Sequence, residues 1–232
     1  MTRIPFLLVP GLNCTAEIFG QLVPALWPSG PVTIADHTVG GSIAEIAANI
    51  LRDAPSRFGL LGFSLGGYIA FEILRQAPER VAKLCLLDTS ARPDAPEATQ
   101  KRRLGIERAR GGDFVGVLRE GFLTAVNDSN LGRDDLSAML VRMGTTNGVE
   151  TFVRQQKAII VRQDSRPDLA GIKVPTLVIV GESDQTTVPA AAREMADGIA
   201  GARLVVIPKA GHMALVEHPE LVNATVAAWA RG

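Results

Sequence analysis

Six short stretches of the chain are apolar almost without interruption, near 4–9, 32–35, 58–63, 84–88, 175–180 and 203–207. Strands with one wet face alternate apolar and polar positions. Continuous runs of this length are strands covered on both faces, as in a parallel sheet. Helical spacing fills most of the gaps between them. Ser42-x-x-Glu45 has the form of a capping box, and Ile43, Ile46, Ala47, Ile50 and Leu51 then share one helical face. Pro219 suits a first helical turn, with Leu221, Val222, Thr225, Ala228 and Trp229 following as one stripe. Strands alternating with helices predict an α/β fold, with a mostly parallel sheet of about six strands and helices on both faces.

The rhythm breaks between Ser90 and Pro167. Helical patterns such as Leu136, Met139, Leu140 and Met143 appear there without a clear strand, punctuated by Gly111-Gly112, Gly132 and Gly148. The expected organisation is a core of 1–89 and 168–232 with a helical cap inserted at 90–167. That insertion carries thirteen Lys/Arg against ten Asp/Glu, an excess that an ordinary solvated helix surface explains better than an acidic substrate does. As a lid over the strand ends, it offers Phe114, Phe122, Leu123 and Met143 as candidate substrate contacts.

Composition narrows the classes. Hydrophobic residues make up 47% and charged ones 21%, which suits a folded globular chain. Lys plus Arg equals Asp plus Glu at 24 each, so no net charge draws the protein to nucleic acid or an anionic membrane. Cys14 and Cys85 form no metal-binding or disulfide pattern and read as buried fillers. The run from Ile4 to Val9 ends at Pro10-Gly11, too short for a signal-peptide core, and no stretch approaches a membrane span. The expected location is cytoplasmic. Nothing in the pattern fixes an oligomeric state.

The chemistry centres on Gly62-Phe63-Ser64-Leu65-Gly66-Gly67, placed between the strand Phe58–Leu61 and a helical run from Tyr68. A serine at the tip of a tight strand–helix turn exposes its hydroxyl, and glycines two residues either side let neighbouring backbones approach. Serine needs a base and the base an orienting carboxylate. His212 follows the last strand and Asp184 the fifth, at the strand edge where ligands gather in such sheets. Capping its own turn is the other role open to Asp184. Asp88 and Glu182 are competing acids, with Asp88 expected to bond the loop amides around Thr89 and Ser90. His218 reads as a cap of the last helix and His37 as a minor candidate for substrate contact. Backbone N–H groups of Leu65 and Leu12 are the candidate oxyanion donors, with Asn13 in reserve.

These motifs, with Val9-Pro10-Gly11-Leu12, Val174-Pro175-Thr176-Leu177, Gly181-Glu182-Ser183-Asp184 and Gly211-His212, resemble those of the cap-bearing α/β-hydrolase superfamily. The resemblance spans nearly the whole chain and is strongest to small bacterial carboxylesterases related to the pimeloyl-carrier-protein methyl esterases. It implies an α/β-hydrolase fold in which Ser64 is nucleophile, His212 base and Asp184 orienter. The implied activity is hydrolysis of a small or medium-sized carboxylic ester without a cofactor. Lactonase, thioesterase, C–C hydrolase, lyase and non-catalytic binding are the alternatives. Two features depart from the pattern. Pro10-Gly11 stands where many relatives have His-Gly, and the chain enters almost directly on the strand before the oxyanion loop, without their leading hairpin.

Overall fold

Each apolar run forms a strand in the computed structural model, which describes residues 3–232. β1 (Phe6–Val9), β2 (Val32–Ile34), β3 (Phe58–Phe63), β4 (Val81–Leu87), β5 (Thr176–Gly181) and β6 (Arg203–Ile207) make one sheet in the order β2-β1-β3-β4-β5-β6. Every pairing is parallel. β4 starts three residues before its apolar run; a register shift at Phe58/Gly59 skips Ala82, and Lys83 pairs with Gly59 in the ladder. The Lys83 ammonium donates to the carbonyls of Trp229 and Ala230 at 3.1 and 3.0 Å, which keeps a charged residue satisfied in a sheet.

The period of two sorts the strand residues into two layers. Leu7, Val9, Phe58, Leu60, Leu84, Leu86, Val178 and Val180 face one core, packed by α2 (Ile43–Asp53), α3 (Leu65–Gln76) and α7 (Pro189–Gly198). Phe6, Leu8, Leu61, Phe63, Cys85, Leu87, Leu177 and Ile179 face the other, packed by α1 (Leu22–Leu26), α8 (Ala214–Glu217) and α9 (Pro219–Arg231). Both faces are dry, so the strands need no polar alternation. The chain winds outward in both directions from the β1/β3 pair. In such sheets the crevice at the carboxyl ends of the central pair is the place for a ligand.

Two local expectations are corrected. Ser42 caps α2 through Glu45 N–H at 3.2 Å, but the Glu45 carboxylate reaches Gly41 N–H rather than returning to Ser42. On α9, Leu221 and Ala228 point outward, and Val222, Val226 and Ala230 form the buried stripe at intervals of four.

Between β4 and β5 lie α4 (Pro96–Arg110), α5 (Phe114–Ala125) and α6 (Asp134–Ile160). The last is bent at Gly148, whose φ of 79° and ψ of 170° interrupt the helix. Ile106, Ala109, Phe114, Phe152 and Val153 form a small core among these helices. Phe122, Val126, Leu136 and Met143 instead join the sheet's second core, so the segment is packed onto the sheet rather than hinged away from it.

Candidate active site

The turn after β3 explains its glycines. Ser64 has φ 52° and ψ −114°, a strained conformation for a residue with a Cβ and of a kind that costs about 1–3 kcal/mol. It is held there by Ser64 N–H donating to Leu87 O at 3.0 Å and by Thr89 Oγ1 and Gly67 N–H donating to Ser64 O at 2.8 and 2.9 Å. A Cβ on Gly62 would stand 2.3 Å from Gly66 O, and one on Gly66 would stand 2.0 Å from Val9 O. The elbow therefore presses the start of α3 against both β3 and the end of β1.

The three polar residues anticipated from separate loops meet at this turn. His212 Nε2 lies 2.9 Å from Ser64 Oγ, and His212 Nδ1 lies 2.9 Å from Asp184 Oδ2. Asp184 makes the contacts of both roles that the sequence left open. Its Oδ1 accepts the N–H groups of Thr186 and Thr187 at 2.8 and 2.9 Å, capping the turn, while Oδ2 takes Thr187 Oγ1–H at 2.7 Å as well as the imidazole. Burial opposes ionisation of Asp184, yet the His212 ring and the Thr187 bonds hold its carboxyl down at about 2. A carboxylate so placed selects the tautomer with the proton on Nδ1, leaving Nε2 to accept from the serine. The loop carrying His212 is fixed by Glu217, whose carboxylate accepts Gly211 N–H at 2.8 Å. It also accepts Asn127 N–H at 2.7 Å and Asn130 Nδ2 at 2.8 Å from the α5–α6 connection.

Gly11 brings the loop after β1 against the elbow: a Cβ there would lie 3.3 Å from Ser64 Cβ and 2.8 Å from the Phe63 ring. Of the two candidate donors on this loop, Asn13 N–H is already committed to Gln155 Oε1 at 2.7 Å. Leu12 N–H and Leu65 N–H donate to no other protein group among the described residues. His37 is buried, with Nε2 2.8 Å from Gly11 O, so it sits behind the loop instead of facing a substrate. Burial pushes its imidazole below the usual range. Gln155 Nε2 completes the link by donating to His37 O at 3.1 Å.

The other singled-out residues divide clearly. Asp88 is fully buried, but its oxygens accept from Gly181 and Ala214 at 2.9 and 3.2 Å, not from the amides around Thr89 and Ser90. Burial, reinforced by the charge of Asp184, pushes its carboxyl well above the usual range. Glu182 accepts Lys209 N–H at the surface. His218 occupies the capping position of α9, but its ring is 3.0 Å from Lys209 O and makes no cap bond. Cys14 and Cys85 are both buried, and burial pushes the Cys14 thiol up to about 12. Of the four apolar candidates, Phe122 and Met143 are buried in the sheet-side core. Phe114 packs tilted against Phe152 with ring centroids 5.4 Å apart, and Leu123 stands 57% exposed. Leu118, one turn before Phe122, lies near the loop after β1. A Cβ on Gly144 would be 2.6 Å from its Cδ1 and 3.1 Å from Asn13 Nδ2.

Comparison with known proteins gives the family. The alpha/beta hydrolase fold family matches residues 42–219, more than half of the chain. A pimeloyl-[acyl-carrier protein] methyl ester esterase of Neisseria meningitidis is 28% identical, covering 92% of this chain and 87% of its own. Among solved structures, a thermophilic esterase from Thermogutta terrifontis superposes with a TM-score of 0.88 at 28% identity, over 99% of this chain and 90% of the other. An enol-lactonase from Burkholderia xenovorans shares the fold, with a TM-score of 0.84 at 24% identity over 100% and 93%. Among the described residues no helix is long and apolar enough to cross a membrane. The chain belongs to the alpha/beta hydrolase fold family and is related to its esterases.

Proposed function

We propose that the protein is a serine esterase that hydrolyses small or medium-sized carboxylic esters through an acyl-enzyme. The observation that carries this reading is the continuous chain from Ser64 Oγ to His212 to Asp184, with both hydrogen bonds at 2.9 Å, built on a strained turn. Ser64 Oγ bonds to the acyl carbon as its proton passes to His212 Nε2. The carbonyl oxygen takes up negative charge and faces the N–H groups of Leu12 and Leu65. The C–O bond to the alcohol then breaks, and His212 returns the proton to the leaving oxygen. Water repeats the sequence on the acyl-serine and releases the acid.

The segment 90–167 acts as the cap over this site, with Leu118 supplying apolar surface for the acyl group. A carboxylic ester is favoured over a lactone or thioester because the curated relative named above acts on a methyl ester. The test is turnover of a series of p-nitrophenyl esters, lactones and thioesters by wild type and Ser64→Ala. Ser64→Ala should lose at least about ten-thousandfold in rate with its melting temperature retained. A fluorophosphonate should add mass to the Ser64 peptide alone. Retained activity in the variant, or no adduct on wild type, would remove the reading.

A further inference from the structure

Accepting the acyl-transfer reading, one buried residue remains without a role in it. His37 comes from the loop after β2, is only 2% exposed, and touches neither Ser64 nor its partners. Its ring nitrogen Nε2 lies 2.8 Å from Gly11 O. A carbonyl can only accept, so Nε2 carries the proton. Gly11 O receives a second bond from Cys14 N–H at 3.1 Å.

A trans peptide is planar, and its C=O and N–H point in opposite directions. Fixing Gly11 C=O therefore fixes the direction of Leu12 N–H, which belongs to the same peptide group. The next peptide is fixed as well, since Asn13 N–H donates to Gln155 Oε1 at 2.7 Å and the Asn13 side chain donates to Gly144 O at 3.1 Å. Asn13 has φ 54°, a left-handed turn that reverses the chain between these two anchors. Gln155 Nε2 closes the ring of bonds on His37 O. Leu12 N–H, by contrast, donates to no protein group among the described residues, and the loop that carries it packs directly against the nucleophile. A donor bonded to the carbonyl end of an amide also polarises it, which strengthens the N–H at the other end.

We propose that His37 is a positioning residue for acyl transfer: its hydrogen bond to Gly11 O aims the Leu12 N–H at the developing oxyanion. His37 is not a catalytic residue, because it meets the substrate only through the backbone it holds. The interaction is worth most when negative charge appears, so its loss should fall on kcat and leave substrate binding nearly intact.

The experiment compares wild type with His37→Leu, which cannot donate, and His37→Gln, whose amide nitrogen stands at nearly the reach of Nε2. Turnover is measured on p-nitrophenyl acetate. Affinity is measured for phenylboronic acid, whose boron accepts Ser64 Oγ and whose hydroxyl then occupies the oxyanion position. His37→Leu should lose about ten- to hundredfold in kcat, with KM within about threefold, and its affinity for the boronic acid should fall by a similar factor. His37→Gln should return to within about threefold of wild type. A folding defect would give a different signature: lowered melting temperature, fewer active sites by phosphonate titration, and unchanged kcat per titrated site. That signature overturns the proposal, as does a glutamine variant as impaired as the leucine one. Should His37→Leu not fold, His37→Asn replaces it, since its amide is too short to reach Gly11 O and the same loss is expected. Wild type that neither turns over an ester nor labels at Ser64 refutes the esterase reading itself. Active wild type with an unimpaired His37→Leu refutes only the role of His37.

Discussion

Asp184→Asn gives the sharpest test of the catalytic assignment. The wild-type carboxylate accepts four donors from Thr186, Thr187 and the imidazole, and its pKa is pulled from 3.8 to about 2. In the asparagine variant Oδ1 keeps the two backbone bonds, and the Thr187 hydroxyl can rotate to accept from the new amide. His212 has no such freedom. Facing an NH2 donor, Nδ1 must become the acceptor, which moves the ring proton to Nε2, where it blocks acceptance from Ser64 Oγ. A wrong tautomer in a comparable triad costs about ten-thousandfold. Turnover of p-nitrophenyl acetate should fall by at least about a thousandfold, equivalent to about 4 kcal/mol of transition-state stabilisation. The stability consequence is separate. A folded pKa below the unfolded one stabilises the protein above about pH 4, and that contribution disappears as pH falls through about 2. The depression corresponds to about 2 kcal/mol, so urea unfolding at neutral pH should show a loss no larger than this, with the protein still folded. A variant within tenfold of wild-type turnover would falsify the assignment of Asp184, most clearly if Asp88→Asn proved the more damaging change.

Asp88→Asn should chiefly affect stability, because it places an amide donor against Ala214 N–H, at a cost of about 1–3 kcal/mol. The raised carboxyl of Asp88 favours the fold fully below its unfolded pKa and loses that contribution as pH rises toward its folded value. The deficit of the variant should therefore narrow between pH 5 and pH 8 in urea titrations, and a constant deficit would contradict the shift. His212→Ala should abolish ester turnover, whereas His218→Ala should keep it, since that ring bonds only Lys209 O; equal losses would reassign the base. Leu118→Ala should change acyl-chain preference across a series of esters, while Leu123→Ala, at an exposed position, should leave both preference and melting temperature unchanged.

The sheet and the reactive trio were readable from the chain for related reasons. Dry strands leave uninterrupted apolar runs, and chemistry at the strand edge draws on few residue types, so Ser64, Asp184 and His212 stood out on loops after strands. Lys83 hid the start of β4 because its charge is satisfied by carbonyls of α9, distant in sequence. Gln155 left no mark for the same reason, and His37 read only as a minor candidate for substrate contact. Each looks like an ordinary polar residue until the fold brings it to a backbone group 142 or 26 residues away. The exclusion of Asn13 as an oxyanion donor follows from that Gln155 bond alone. Leu118 is a different case. Phe114, Leu118 and Phe122 recur every four residues, and position 123 lies about 100° around the helix from 122, so Leu118 was legible from helical phase. The imidazole that holds the loop after β1 arrives from position 37, beyond the next strand.

The bend at Gly148 has a kinetic consequence. In an unbroken helix Gly144 and Gln155 would be about 16 Å apart along the axis, yet both bond to Asn13. The two arms of α6 hold one residue across the kink at that glycine, the far arm reaching it through the Gln155 side chain. Asn13 N–H is consequently shielded by a single side chain on the far arm. Its exchange with deuterated solvent then reads out how often that arm lets go, in the resting protein and without any substrate. Amides within β3 and β4, locked in the sheet, should exchange on a much slower clock. The ratio of the two rates measures the free energy of releasing α6 against that of unfolding the whole chain.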